Sequence, residues 1–276
     1  MAKNMNELFD NIYKIPKVPE VVRNLIIQLN DPDFDIDEIV KNVSRDQVIS
    51  MKVLRLVNSA HFGLSRKIVS IEDAVILIGM KQLKTLVIAS GIVSAVPELD
   101  NFDLKTFWSD SFRTATYAKW IADEINTDSE MAFTAGLISN MGQILIHMGA
   151  PETVCEIEKF VKSGGRRTEI EQTLLGYTNA EVCAELCRRW KFPDVLIETI
   201  KQCHEPLKFE NPSTDACIIN IAEYLSACRR DNLSLEDMME TFPADVLMRL
   251  GIEREEFSDK LPVLLKSNSG LDSLAA

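Results

Sequence analysis

Three histidines are the only imidazoles in the 276-residue chain: His61, His147 and His204. A hydrolytic metal centre needs imidazoles and carboxylates converging on one point, because both are good donors and the carboxylates offset the metal's charge. The three histidines lie in separate segments, and none has an acid beside it in the manner of a His-Glu-x-x-His motif or a His-Asp pair; only Glu205, after His204, comes near. Cys203 precedes His204, and Cys183 and Cys187 lie one helical turn apart, so a thiolate–imidazole metal site is conceivable. Metal-binding spacings are usually tighter, and free cysteine is a common buried residue, so reduced, packed thiols are the expectation for all six cysteines. The chain has no Gly-x-Ser-x-Gly elbow and no P-loop. The stretch GLISNMGQ, residues 136–143, sets Ser139 and Asn140 into what otherwise reads as the buried part of a helix. Polar side chains there mark a site, or the remnant of one.

The elements that would position these groups are helices. In DQVISMKVLRLVNSA, Ile49, Val53, Leu56, Val57 and Ala60 recur at helical spacing, with Asp46 as N-cap and Gly63 as the stop. Ser70 caps a short helix, EDAVILIG, and Gly79 separates it from MKQLKTLVIASGIVSAV, which is apolar nearly all round and therefore central. Pro97 ends this first set. Longer helices follow from Asp103, among them SEMAFTAGLISNMGQILIHM read as one helix, with a turn at Ser163-Gly164-Gly165. The expected fold is all-α in two helical lobes, residues 1–97 and 98–276, with extra amphipathic helices from about 231 and a frayed tail, SNSGLDSLAA. Trp108, Trp120, Trp190 and His147 read as packed residues.

Composition narrows the function classes. The formal charge of −12 argues against general nucleic-acid affinity, which requires a basic face. Residues 41–90 depart from this, with eight Lys/Arg against three acids, so they carry +5 and the remainder −17. A solvated face accounts for that segment; alternatively Lys52, Arg55, Asn58, Lys81 and Lys84 line a docking surface for an acidic partner or a small anionic ligand. The start has no apolar signal region, and the longest apolar run, Leu86 to Val96, is shorter than a membrane helix of roughly 20 residues. A cytoplasmic protein without membrane contact is expected.

Several stretches taken together resemble a family. PKVPEVVRNLIIQLNDP, VLRLVNSAHFG and SIEDAVILIGMKQLKTLVIAS are followed in order by FWSDSFRTA, AFTAGLISNMGQILI, NAEVCAELCRRWKFP and IKQCHEP. Over roughly residues 15–230 this is similar to the HDOD domain, the HD-related output domain of bacterial signalling proteins. The resemblance implies the helical HD-superfamily fold, whose enzymes are metal-dependent phosphohydrolases and phosphodiesterases, with the second lobe as the HD-like bundle. It also implies where metal ligands would stand. Asp110 occupies a place where the family often has a first His. Ser139 and Asn140 occupy the His-Asp dyad, Asn179 and Cys203 further frequent His positions, His204 keeps an imidazole, and Glu223 stands for the closing Asp.

Neutral Ser139, Asn140 and Asn179 remove both the strong donors and the negative charge that a divalent ion requires. The expectation is therefore a degenerate pocket with no catalytic residues and no cofactor, in a signalling protein that works through a protein partner. Two alternatives stand beside it. One is a divergent phosphohydrolase holding a divalent transition metal on Asp110, His204 and Glu223; the other is a nucleotide or anion sensor without turnover.

Overall fold

The computed structural model describes residues 4–12, 15–28 and 36–274, and among the described residues every regular element is helical. The first part comprises α1 (Met5–Asn11), α2 (Glu20–Ile27), α3 (Ile36–Arg45), α4 (Gln47–Val57) and α5 (Ile71–Ala95). Asp46 caps α4 by accepting from the amides of Val48 and Ile49, and the helix buries Ile49, Val53, Leu56 and Val57, the apolar stripe of the sequence. Ser70 caps α5 by accepting from the Asp73 amide. Gly79 interrupts α5 at φ 78°, ψ 161°, a backbone conformation that only glycine adopts readily, so the two helices expected there are distinct in direction. By length and composition α5 would pass as a membrane span, but every residue from Leu83 to Ile92 is buried within the protein. It is a core helix.

The second part begins with α6 (Leu104–Glu124), α7 (Ser129–Ile138), α8 (Met141–Gly149), α9 (Pro151–Lys162) and α10 (Arg167–Leu175). It continues with α11 (Asn179–Arg189), α12 (Asp194–Gln202) and α13 (Thr214–Arg230), then α14 (Leu235–Glu240), α15 (Ala244–Arg249) and α16 (Arg254–Leu264). Helices α6, α7 and α13 pack together at its centre, α8 lies on α11, and α7 also meets α5 of the first lobe. The expected single helix through GLISNMGQ is two, broken at Ser139 and Asn140. Those residues sit at a helix junction, where side chains can converge on a pocket without interrupting a helical ladder.

Near both ends of the described chain, segments reach the opposite lobe. Helix α1 packs on α8, the Trp190 indole donates to the carbonyl of Pro16 at 2.9 Å, and Arg189 lies 4.1 Å over the Phe9 ring. At the other end Leu271 and Leu274 are buried and Arg55 donates to the carbonyl of Ser273. The tail expected to fray is thus packed through residue 274. The lobes are tied further by Lys81–Asp123 at 3.2 Å and Lys84–Glu130 at 3.6 Å. Five cysteines are buried as expected, whereas Cys155 is exposed. Trp108 and Trp190 are buried, and Trp120 is half-buried.

Candidate functional site

A cleft of about 1660 Å³ opens in the second lobe, walled by α6, α9 and α13, with Asn140, Asn179, His204 and Glu223 among its lining residues. Four segments bring these groups together. The α7–α8 junction supplies Ser139 and Asn140, the start of α11 supplies Asn179, the residues after α12 supply Cys203 and His204, and α13 supplies Glu223. Asn220, one turn before Glu223, donates to the carbonyls of Cys203 (2.9 Å) and His204 (3.1 Å) and so fixes the end of α12 against α13. Gly142 lets α8 meet the start of α11: a Cβ there would stand 2.1 Å from the Asn179 carbonyl oxygen.

Glu223 is the hub. Its Oε1 accepts from Ser139 Oγ at 2.6 Å and from Asn140 Nδ2 at 2.8 Å, and it faces His204 Nε2 at 3.3 Å. Asn140 is used at both ends of its amide, since its Oδ1 accepts from Gln143 Nε2 (2.8 Å) and Asn179 Nδ2 (3.0 Å). Around Glu223, the buried Asn179 Oδ1 and His204 Nε2 lack an aligned partner, the approach of the imidazole to Glu223 being off the hydrogen-bond line. Burial pulls the His204 pKa down, but the facing Glu223 carboxylate and neighbouring Cys203 overcome it and hold the imidazole well above its ordinary value. Burial pushes Glu223 up, yet His204 and the Ser139 and Asn140 donors bring it below the ordinary carboxylate range. The pair is an imidazolium on a carboxylate.

A second buried carboxylate went unread in the sequence. Glu171 of α10 is 1% exposed, accepts from the Asn179 amide at 2.7 Å and lies 3.7 Å from Arg167. Burial raises its pKa against those two partners and His204. Its signal was available: on α10 it lies one turn before Leu175, on the same buried face. Gln143 and Asn220 were also missed, although Gln143 stands one turn after Asn140.

Asp110 belongs to the cleft wall and is spent on cations. Its carboxylate bridges Arg113 (2.9 Å) and Arg230 (2.8 Å), a staple between α6 and α13. The set that converges is Cys203, His204 and Glu223, whose ligand atoms lie within 4.8 Å of one another, rather than the Asp110, His204 and Glu223 of the alternative metal reading. The three offer a thiol, an imidazole and a carboxylate, but the carboxylate is already engaged within the protein. Glu223 Oε1 already accepts from Ser139 and Asn140 and faces His204 Nε2, so an ion there would have to displace those groups.

The proposed contact residues of the first lobe are largely engaged within the fold. Lys52 donates to Ser94 Oγ, Arg55 to Ser273, and Lys81 pairs with Asp123. Lys84 is 4% exposed, which removes it from any surface. Asn58 donates to the carbonyls of Leu54 and Ile68 and accepts from the Ile68 amide, closing the loop after α4.

Comparison with known proteins adds identity to this geometry. A protein of Treponema pallidum (strain Nichols), named only as uncharacterized, is 26% identical over 198 residues; the match covers 71% of this chain and 38% of that protein's length. A Shewanella amazonensis SB2B protein, provisionally named a phosphohydrolase, has a solved structure that is 31% identical with TM-score 0.81, covering 99% of this chain and 100% of that one. An HDOD domain protein of unknown function from Geobacter sulfurreducens shares the fold at 23% identity and TM-score 0.77, covering 99% and 97% of the two chains. The HDOD domain matches residues 15–206, most of the chain, and the chain belongs to the HDOD domain family.

Proposed function

We propose that this chain is a non-catalytic module of bacterial signal transduction, acting in the cytoplasm through protein contacts. The observation that carries the reading is the internal use of Glu223 at the HD-type site. Where the superfamily's His-Asp dyad would stand, Ser139 and Asn140 both donate to Glu223, and that carboxylate is already matched by a charged His204. With Glu223 Oε1 engaged in this way, that carboxylate has little charge left to offset a metal. The pocket works as an internal strut joining α7, α8, α11, α12 and α13. A second reading, ligand sensing without turnover, is favoured by the cleft itself, whose volume exceeds that of most small-molecule sites.

The test is purification without chelator, measurement of transition metal per chain, and assay of phosphodiester and phosphomonoester hydrolysis with added manganese or iron. The scaffold reading expects no hydrolysis above that of the His204→Ala variant. Stoichiometric metal with turnover abolished by His204→Ala overturns it. A thermal shift with a nucleotide, in the absence of turnover, selects sensing.

A further inference from the structure

Residues 265–274 run from the end of α16 back across to the first lobe, and both lobes build their seat. Leu271 is fully buried and Leu274 is 7% exposed. The short 3-10 turn Asp272–Leu274 packs on α6, and Arg55 of α4 donates Nη2 to the carbonyl of Ser273 at 2.7 Å. Gly270, at φ 70°, lies so close to His61 that a Cβ would come within 2.5 Å of its ring. Between α16 and the two leucines the chain is Ser267-Asn268-Ser269-Gly270, a polar link whose side-chain bonds are local: Ser267 Oγ donates to Leu264, Asn268 accepts from Gly270, and Ser269 accepts from Leu271.

The seat therefore reads two leucines three apart and one backbone carbonyl. The Ser273 Oγ is enclosed between the leucines without a hydrogen-bond partner, so the serine side chain adds no polar tie to the grip. The grip also has little to set against the chain entropy of ordering the link, so this segment belongs at the low end of local stability. It lies beyond residue 206, where the family match ends, and it covers His61 in the NSAHFG stretch of the first lobe.

We propose that residues 265–274 are a displaceable latch, and that the seat of Leu271 and Leu274 accepts a Leu-x-x-Leu segment of a protein partner when the latch lifts. Release frees Arg55 and His61, uncovers apolar surface on α6, and removes one tie between the lobes. The device operates whether or not the polar pocket performs chemistry.

Two measurements on the full chain test it. In native-state hydrogen exchange, the Leu274 amide, bonded to the Leu271 carbonyl at 2.8 Å, exchanges about 100-fold or more faster than the amides in the middle of α6. Equal protection makes the segment ordinary core and overturns the proposal. In the second measurement a fluorescent peptide of residues 266–276 is titrated into the unmodified chain and into the Leu271→Ser/Leu274→Ser variant. The variant, with its helical circular dichroism intact, binds the peptide at least about 10-fold more tightly than the unmodified chain, whose seat is filled. Adding Arg55→Ala to the variant weakens that binding. A folded variant that ignores the peptide, or equal binding by both chains, overturns the proposal; if the variant does not fold, hydrogen exchange decides.

Discussion

His204 Nε2 lies 3.3 Å from Glu223 Oε1, and both side chains are shielded, at 14% and 17% exposure. His204 follows α12 and Glu223 lies on α13, and the Ser139 and Asn140 donors converge on the same carboxylate oxygen. Charge is thus balanced at the cleft floor by the protein's own groups, which is why removing one of them is costly.

Replacing His204 by Gln leaves the Glu223 carboxylate buried with neutral donors alone. Breaking a buried pair costs about 3–5 kcal/mol, and the two remaining donors place this variant near about 3. The imidazole's contribution is fully present below its ordinary 6.5 and is lost as pH rises through its raised value. The carboxylate's contribution is present above its ordinary 4.5 and is lost as pH falls through its lowered value. Urea titrations of both proteins across pH should therefore show the largest stability gap between 4.5 and 6.5, shrinking on either side. A gap that does not vary with pH would contradict the charged pair.

The helical fold was readable because its signals are local. Asp46, Ser70 and Gly79 act on amides or dihedrals within one turn, and each has the role that its type and position imply. The site was only partly readable. Ser139, Asn140, Asn179, Cys203, His204 and Glu223 do meet, but that grouping came from resemblance and not from spacing. Asp110 lines the same cleft, but spacing does not reveal that Arg113 and Arg230, one turn and 120 residues away, hold its carboxylate. Glu171 was passed over because an acid on a helix is usually solvated, and its burial depends on the Asn179 amide reaching it from the next helix. The crossed termini were invisible for the same reason: Leu8, Leu271 and Leu274 are apolar in any arrangement, and only tertiary packing decides which lobe receives them.

Gly142 carries the geometry of the site without touching its chemistry. An added methyl would meet the Asn179 carbonyl oxygen at 2.1 Å and its Oδ1 at 2.4 Å, and the backbone oxygen has no rotamer by which to retreat. Helix propensity favours alanine over glycine by about 1 kcal/mol, and overpacking costs about 1–3 kcal/mol or more. Gly142→Ala should be net destabilising by about 2 kcal/mol in denaturant titration, with α8 displaced from α11. A neutral or stabilised variant would mean that the two helices do not approach as described.

Asp215, in the first turn of α13, tests the opposite sign of linkage. Burial raises its pKa from 3.8 to about 6, helped by the like charge of Asp128, which caps α7. Since the folded protein disfavours the charged form, the penalty is absent below 3.8 and complete above about 6. Partial exposure screens it, and a carboxylate in a first turn is favoured by the helix dipole, so the recoverable part is about 1 kcal/mol. Asp215→Asn should therefore raise the urea midpoint at pH 7.5 and leave it unchanged below the ordinary carboxylate value. If the variant is destabilised at pH 7.5, the dipole and capping contribution of Asp215 outweighs its burial, and the acid is a net support of α13 at neutral pH.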